Sequence, residues 1–328
     1  MSDSTPPTVL IAGAGALGCV FGGFLARAGL NVTLLGRPAT VRAVNAHGLT
    51  LTGLWGQHQV TGLGAVDDAA TLSGPFDWVL MPVKSWHTRA MAETILPLVK
   101  DDGIALSLQN GLGNVEQLEQ VVGPERAAGA RVIFGAEVTA PGRVAVTVYA
   151  APVLIGSLDP PSPALDKRLE QVVAALGRTP IPTRRTGRLG AALWAKVFYN
   201  AQLNPLGALL GVPYGELAQN TDTRGVMDRV LDEAFAVARA EGVDLDWDHA
   251  AGYRELFYRE LVPATARHRS SMLQDLEAGR PTEVDAINGE ICRRGRTHGI
   301  GTPVGDTLVA MIRFMAAKGA AKGREPSP

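Results

Sequence analysis

The chain has 328 residues, 46% of them hydrophobic and 19% charged, and a formal net charge of -1 at pH 7. That length is long for one core and suits two domains. The near-neutral balance excludes an electrostatic footprint for nucleic acid or an anionic membrane, so an anionic ligand must be held by locally placed groups.

Along the chain, the leader Met1 to Pro7 is short and polar, without the apolar segment of a signal peptide. Thr8 to Ala12 reads as a buried strand, Ala16 to Ala28 as the helix after it, and Asn31 to Leu35 as a second strand. Trp78 to Val83 is read as a third strand, Ile104 to Leu108 as a fourth and Ala130 to Phe134 as a fifth. Such alternation of strand and helix points to a parallel sheet covered on both faces. Antiparallel strands are expected from Val144 to Ser157, and Pro160 to Pro163 is a loop. After Arg188 the texture changes to long helical segments. The expected architecture is α/β: a Rossmann-type doubly wound sheet over 1–186, then a mostly α-helical substrate and dimerisation domain over 187–328. The tail after Lys318 is expected to fray. Two cysteines, Cys19 and Cys292, are too few for a disulfide framework and imply no metal site. No apolar run reaches transmembrane length. A reduced, cytoplasmic setting is therefore expected, with neither nucleic acid nor membrane as partner, and Cys19 reads as a small packing residue.

Gly13-Ala-Gly-Ala-Leu-Gly18 fits G-x-G-x-x-G with a strand before it and a helix after it. Gly13 permits the tight turn, Gly15 lets a pyrophosphate approach the backbone, and Gly18 allows close helix packing. The helix amides from Ala16 and Leu17 onward face the phosphates. At the end of the second strand an acidic residue would bind the ribose 2′-hydroxyl of NAD. The chain has Arg37 there, which suits the 2′-phosphate of NADP(H) and would otherwise be a solvated surface arginine; NADP is the favoured reading. Two other strand ends carry polar groups on the expected ligand rim. Lys84 either reaches a ribose or phosphate or is an ordinary strand-end lysine, and Asn110 serves either function or the Asn-Gly turn.

The helical half opens with Leu193 to Pro205, which places Lys196, Asn200 and Asn204 at steps of four on one face of an otherwise apolar helix. Burying an ammonium and two carboxamides costs several kcal/mol unless each finds a partner. Farther on, Ser270 to Asp285 reads as two helices and their junction. Gly279 terminates the first, and Thr282 with Asp285 makes a capping-box pattern. Glu283 then lies in the first turn of the second helix, where the macrodipole favours its anion. It is a natural partner for the lysine, although dipole compensation alone would also account for it. Ser271 and Asp275, one turn apart, either present a hydroxyl and a carboxylate together or form an exposed helix face.

These motifs resemble the ketopantoate reductase (2-dehydropantoate 2-reductase) family over roughly residues 8 to 316. The resemblance rests on the glycine loop, Val83-Lys84, Leu108 to Gly113, Trp194-x-Lys196-x3-Asn200-x3-Asn204-Pro205, Ser271 to Asp275, and Thr282 to Gly289. It implies an NADPH-dependent reduction of 2-dehydropantoate to pantoate, as in pantothenate biosynthesis, by hydride transfer to the C2 carbonyl. Lys196 would be the catalytic general acid, with Glu283 as its carboxylate. Asn200, Asn204 and Ser271 would bind substrate, and Asn110 would sit beside both nicotinamide and substrate. Arg37 falls where the family contacts the 2′-phosphate, and Gly13, Gly15, Ala16, Leu17, Gly18 and Lys84 complete the cofactor set. One departure is His268, where the family often has a substrate-touching asparagine. The alternatives are a reductase of a related 2-keto acid, a hydroxyacid dehydrogenase, and a non-catalytic NADPH-binding regulator. A homodimer is expected.

Overall fold

The computed structural model describes residues 6–322, and the chain divides into two compact units. The first comprises residues up to Gln109 and Asn114–Leu189; the second comprises Asn110–Gly113 and the chain from Gly190 onward. The first five residues of the polar leader lie outside the described residues. The tail expected to fray after Lys318 is helical as far as Lys322, and residues 323–328 also lie outside the described residues.

The first unit opens as a strand-helix-strand: β1 (Thr8–Ala12), α1 (Ala16–Arg27) and β2 (Asn31–Leu35). Next come α2 (Pro38–His47), β3 (Leu49–Gly53), β4 (His58–Val60), β5 (Gly64–Val66) and β6 (Phe76–Met81). The unit continues with α3 (Thr88–Ile95), β7 (Val99–Ser107), α4 (Asn114–Val122), β8 (Ala127–Ala140), β9 (Arg143–Gly156), α5 (Pro163–Leu176) and β10 (Thr183–Arg185). The sheet order is β4-β3-β9-β8-β7-β6-β1-β2-β5, with β10 beside β9. Side chains of β1 alternate between two cores, as successive strand residues must. Val9 and Ile11 pack with Phe21 and Phe24 of α1. Leu10 and Ala12 pack with Ala92 and Ile95 of α3 and Leu118 of α4. The central strands are thus buried on both faces, which is why they read as continuous apolar runs.

β1 pairs in parallel with β2 on one side and β6 on the other. The chain therefore reverses its direction of sheet growth at β1, the switch point beyond which ligands bind in such sheets. The strands expected from sequence are present with different limits. The third is Phe76–Met81, the fourth begins at Val99, and the fifth runs for 14 residues to Ala140. The last extends because β8 and β9 form a long antiparallel hairpin, in which backbone pairing continues after the apolar run has ended.

The second unit is built on α6 (Leu189–Leu210), a 22-residue helix. Trp194, Val197, Phe198, Ala201 and Leu203 are all buried. Burial on every side makes α6 a central helix rather than an amphipathic surface one. Around it lie α7 (Tyr214–Gln219), α8 (Thr221–Ala240), and α9 (Ala250–Leu256), which passes through a π-turn into α10 (Val262–Ala264). α11 (Ser271–Glu277) is followed by a second π-turn, Asp285–Gly289, that leads into α12 (Glu290–Thr297), and α13 (Pro303–Lys322) completes the unit. Phe198 anchors the packing, with ring centroids 5.6 Å from Phe235 and 5.3 Å from Tyr253.

No helix among the described residues is long and apolar enough to cross a membrane. None of their His, Cys, Asp and Glu side chains cluster as a metal site.

Candidate active site

In the first unit the glycine loop joins β1 to α1. Gly13 has φ +129, and a Cβ there would lie 2.9 Å from Val83 Cγ1. The loop therefore rests directly on the segment after β6. At Gly18 a Cβ would come within 2.0 Å of the Gly13 carbonyl oxygen, so only glycine fits. Gly15 differs from both: nothing lies within 4 Å of the position its Cβ would take. Its backbone faces open space. Gly15 is the N-cap of α1, yet no side chain caps the helix and no acidic residue occupies its first turn. The amides of Ala16, Leu17 and Gly18, with the positive end of the helix dipole, suit an anion. An open cradle above bare amides fits the pyrophosphate of a dinucleotide.

Arg37 follows β2, is exposed, and has an extended backbone (φ -68, ψ 148) that starts α2. Lys84 follows β6, with its Nζ 5.9 Å from the Trp86 ring centroid. Cys19, just after Gly18, is buried with its thiol directed at the Ala14 carbonyl; burial pushes its pKa up to about 12. It stays a protonated packing residue.

The polar stripe on α6 belongs to the second unit. Lys196 is half-buried, and Asn200 and Asn204 are buried. Lys196 Nζ donates to Asn110 Oδ1 at 2.5 Å, and Asn110 Nδ2 donates to the buried Glu283 at 3.3 Å. The carboxamide is thus oriented with oxygen toward the cation and amino group toward the carboxylate. The sequence puts Asn110 on the strand rim with Lys84, but its contacts place it in the second unit. The backbone explains the difference. Gly111 has φ +87, and Leu112 N donates to the Ala286 carbonyl at 2.9 Å, which docks this segment beside the π-turn after Glu283.

Asn204 Oδ1 accepts from the buried Tyr214 hydroxyl at 2.6 Å. Burial drives the Tyr214 pKa upward, so this hydroxyl remains a donor. His268 lies with its ring centroid 5.3 Å from that of Tyr214. It keeps much of its surface exposed, and desolvation of the packed part holds its pKa below the usual value. The departure at His268 therefore reaches the stripe through Tyr214, a link that no motif in the sequence signals.

Other expected groupings do not form. Ser271 is exposed at the start of α11, while Ser270 is the cap, its Oγ accepting from Leu273 N at 3.0 Å. Asp275 is buried and paired with Arg280 at 2.8 Å, so it does not present a carboxylate beside Ser271. Asp285, expected in a capping box with Thr282, accepts from Arg313 at 2.6 and 2.8 Å. The helix entered there begins as a π-turn, which removes the geometry a capping box needs.

The fold pairs a Rossmann-type sheet with a helical unit, and the residues assemble an ammonium, a carboxamide and a carboxylate on the latter. Known proteins combine these features. Residues 9–160 match the family description "Ketopantoate reductase PanE/ApbA", and residues 188–316 match "Ketopantoate reductase PanE/ApbA C terminal". The 2-dehydropantoate 2-reductase of Aquifex aeolicus is 34% identical, over 93% of this chain and 95% of that protein. That of Pyrococcus horikoshii is 31% identical, over 95% and 98%. The crystal structure of a PanE/ApbA family ketopantoate reductase from Ralstonia eutropha JMP134 superposes with TM-score 0.84 at 35% identity, covering 95% of this chain and 99% of that one. A D-mandelate dehydrogenase solved with NADH and anilino(oxo)acetate shares the fold, with TM-score 0.84 at 24% identity and 95% and 99% coverage. The chain belongs to the ketopantoate reductase (2-dehydropantoate 2-reductase) family and is an oxidoreductase of that family.

Proposed function

We propose that this protein reduces 2-dehydropantoate to pantoate with NADPH, and that Lys196 is the general acid. The observation that carries the reading is the hydrogen-bonded series Lys196–Asn110–Glu283 on a helix otherwise packed with apolar side chains. When bound, the dinucleotide supplies a hydride to the C2 carbonyl carbon. As the carbon–oxygen double bond opens, negative charge grows on the oxygen. Lys196 Nζ stabilises that charge and donates the proton, which completes the C2 hydroxyl. A carboxylate near a desolvated ammonium keeps it charged, and Glu283 fills that role with Asn110 joining the two. Asn200, Asn204 and Ser271 would bind the substrate's polar groups, with the Asn204 amide oriented by Tyr214. On the first unit, Gly13, Gly15, Ala16, Leu17 and Gly18 would cradle the pyrophosphate, Lys84 would reach a ribose or phosphate, and Arg37 would pair with the 2′-phosphate. An exposed guanidinium at the end of β2 supports NADP over NAD, since it cannot accept a hydrogen bond from a ribose hydroxyl.

The test is NADPH oxidation with ketopantoate against a panel of bulkier 2-keto acids, alongside Lys196→Ala. The reading requires ketopantoate to be the best substrate and Lys196→Ala to lose orders of magnitude in kcat. A variant with near wild-type kcat would refute the role of Lys196. A second reading, a reductase of a related 2-keto acid, is favoured by His268 against Tyr214. It predicts a higher kcat/KM for another member of the panel.

A further inference from the structure

Of the five tryptophans, Trp86 alone is exposed, at 43%. One exposed aromatic residue is ordinary on a protein surface. Its placement is not. β6 ends at Met81, and Pro82-Val83-Lys84 carries the chain past the carboxyl end of the sheet into a single tight turn, Ser85–His87. Val83 packs on Gly13, so this turn is the immediate neighbour of the glycine loop. Buried groups beneath the turn hold it rigidly. Thr88 Oγ1 lies 2.7 Å from the Ser85 carbonyl and 2.8 Å from Asn114 Oδ1, and it receives a bond from Gln109 Nε2 at 2.7 Å. His87 N closes the turn on the Lys84 carbonyl at 2.9 Å. The indole is therefore presented by a fixed backbone at the ligand edge of the sheet, with the Lys84 ammonium within cation–π range of its ring.

Topology decides which part of a ligand it would meet. β2, which leads to Arg37, and β6, which leads to Trp86, lie on opposite sides of β1. A dinucleotide that crosses the switch point with its adenosine 2′-phosphate toward Arg37 directs its other nucleoside toward β6. We propose that the Trp86 indole packs against the nicotinamide nucleoside half of the bound dinucleotide, with Lys84 directed at its ribose or phosphate. An aromatic platform suits this half because a planar ring needs a flat apolar face, and a rigid indole loses little entropy in providing one.

This inference rests on the NADPH reading above, and the experiment separates the two. NADPH is titrated into wild type, Trp86→Phe and Trp86→Ala, with tryptophan excited selectively and dihydronicotinamide emission recorded, and with Kd from calorimetry. In wild type, energy transfer from Trp86 should quench tryptophan and sensitise the nicotinamide. Trp86→Phe should lower the sensitised emission, the other tryptophans still transferring, while binding NADPH nearly as well, because a ring remains. Trp86→Ala should weaken NADPH by roughly three- to tenfold. 2′,5′-ADP, which lacks the nicotinamide half, should bind all three proteins equally. Wild-type sensitised emission in Trp86→Phe, or an unchanged NADPH Kd in Trp86→Ala, would overturn the proposal. Weakening of 2′,5′-ADP by the alanine variant would overturn the assignment to the nicotinamide half. A wild type that binds neither ligand would sink the cofactor reading, and this inference with it.

Discussion

Pro205 lies inside α6 and has no N–H to give the carbonyl four residues back. That carbonyl belongs to Ala201, which is fully buried, and it accepts from Asn288 Nδ2 at 3.1 Å. Asn288 is itself buried, on the second π-turn. The side chain thus supplies the donor that proline removes. Asn288→Leu keeps a similar volume but deletes the donor and leaves a buried carbonyl unmet, which costs about 1–3 kcal/mol. Pro205→Ala restores a backbone N–H at the missing position. In that background the loss from Asn288→Leu should shrink, because Ala201 then has its helical partner. The double-mutant cycle should give a coupling of about 1 kcal/mol or more, well above the ~0.3–0.5 kcal/mol scatter of independent sites. Equilibrium urea unfolding of the four proteins, with constant m-values, measures it. Equal losses from Asn288→Leu in both backgrounds would refute the argument and leave Asn288 as a packing residue.

Gly111→Ala forces φ +87 on a residue with a Cβ, at roughly 1–2 kcal/mol, and sets that Cβ 2.3 Å from the Ala286 carbonyl oxygen. The segment has to move, taking Asn110 with it, so kcat should fall by more than the melting temperature alone would explain. Retained kcat would show that Asn110 is not needed where it stands. Glu119 has its pKa raised to about 7, by burial first and then by Glu116 and Asp159. Its folded state therefore holds the proton more tightly than the unfolded chain, and its contribution to stability falls as pH rises from about 4.5 through 7. Glu119→Gln should raise the unfolding free energy at pH 8 by about 1 kcal/mol after discounting for partial exposure, seen as a higher Tm, and change little at pH 4.5. An equal Tm change at both values would contradict the assignment. Tyr214→Phe keeps the packing but frees the Asn204 amide, so KM for the keto acid should rise several-fold while NADPH Kd stays constant. A constant KM would remove Asn204 from substrate binding.

The sheet was legible because its central strands are buried on both faces and therefore appear as apolar runs, as in Val9 to Ala12. The short strands β3, β4 and β5 were not, because Leu49–Gly53, His58–Val60 and Gly64–Val66 mix polar residues and glycine within three to five positions. Periodicity has no length over which to show itself there. On α6, steps of four correctly imply that Lys196, Asn200 and Asn204 share a face, because one helix determines its own side-chain directions. Their partners were legible only in part. Glu283 is expected near the lysine, whereas Asn110 as the link between them depends on the left-handed Gly111, which Asn-Gly suggests but does not aim. Tyr214 and His268 meet the stripe through tertiary packing alone.

The stripe and its supports come from four separated segments: residues 110–113, α6, Tyr214 and the 283–288 junction. Each support corrects a local cost. Asn110 shares the charges of Lys196 and Glu283, Tyr214 satisfies a buried carboxamide oxygen, and Asn288 repairs the backbone opened by Pro205. Polar groups held in this way lose little freedom when a ligand arrives, which is what a site needs if its binding energy is to appear as rate. The same logic says where tolerance should lie. Ser271 is exposed at the start of α11, so replacing it should raise KM with little effect on stability, whereas replacing the buried Asn288 should lower stability first. Opposite behaviour at these two positions would mean that the stripe is held together by something other than these hydrogen bonds.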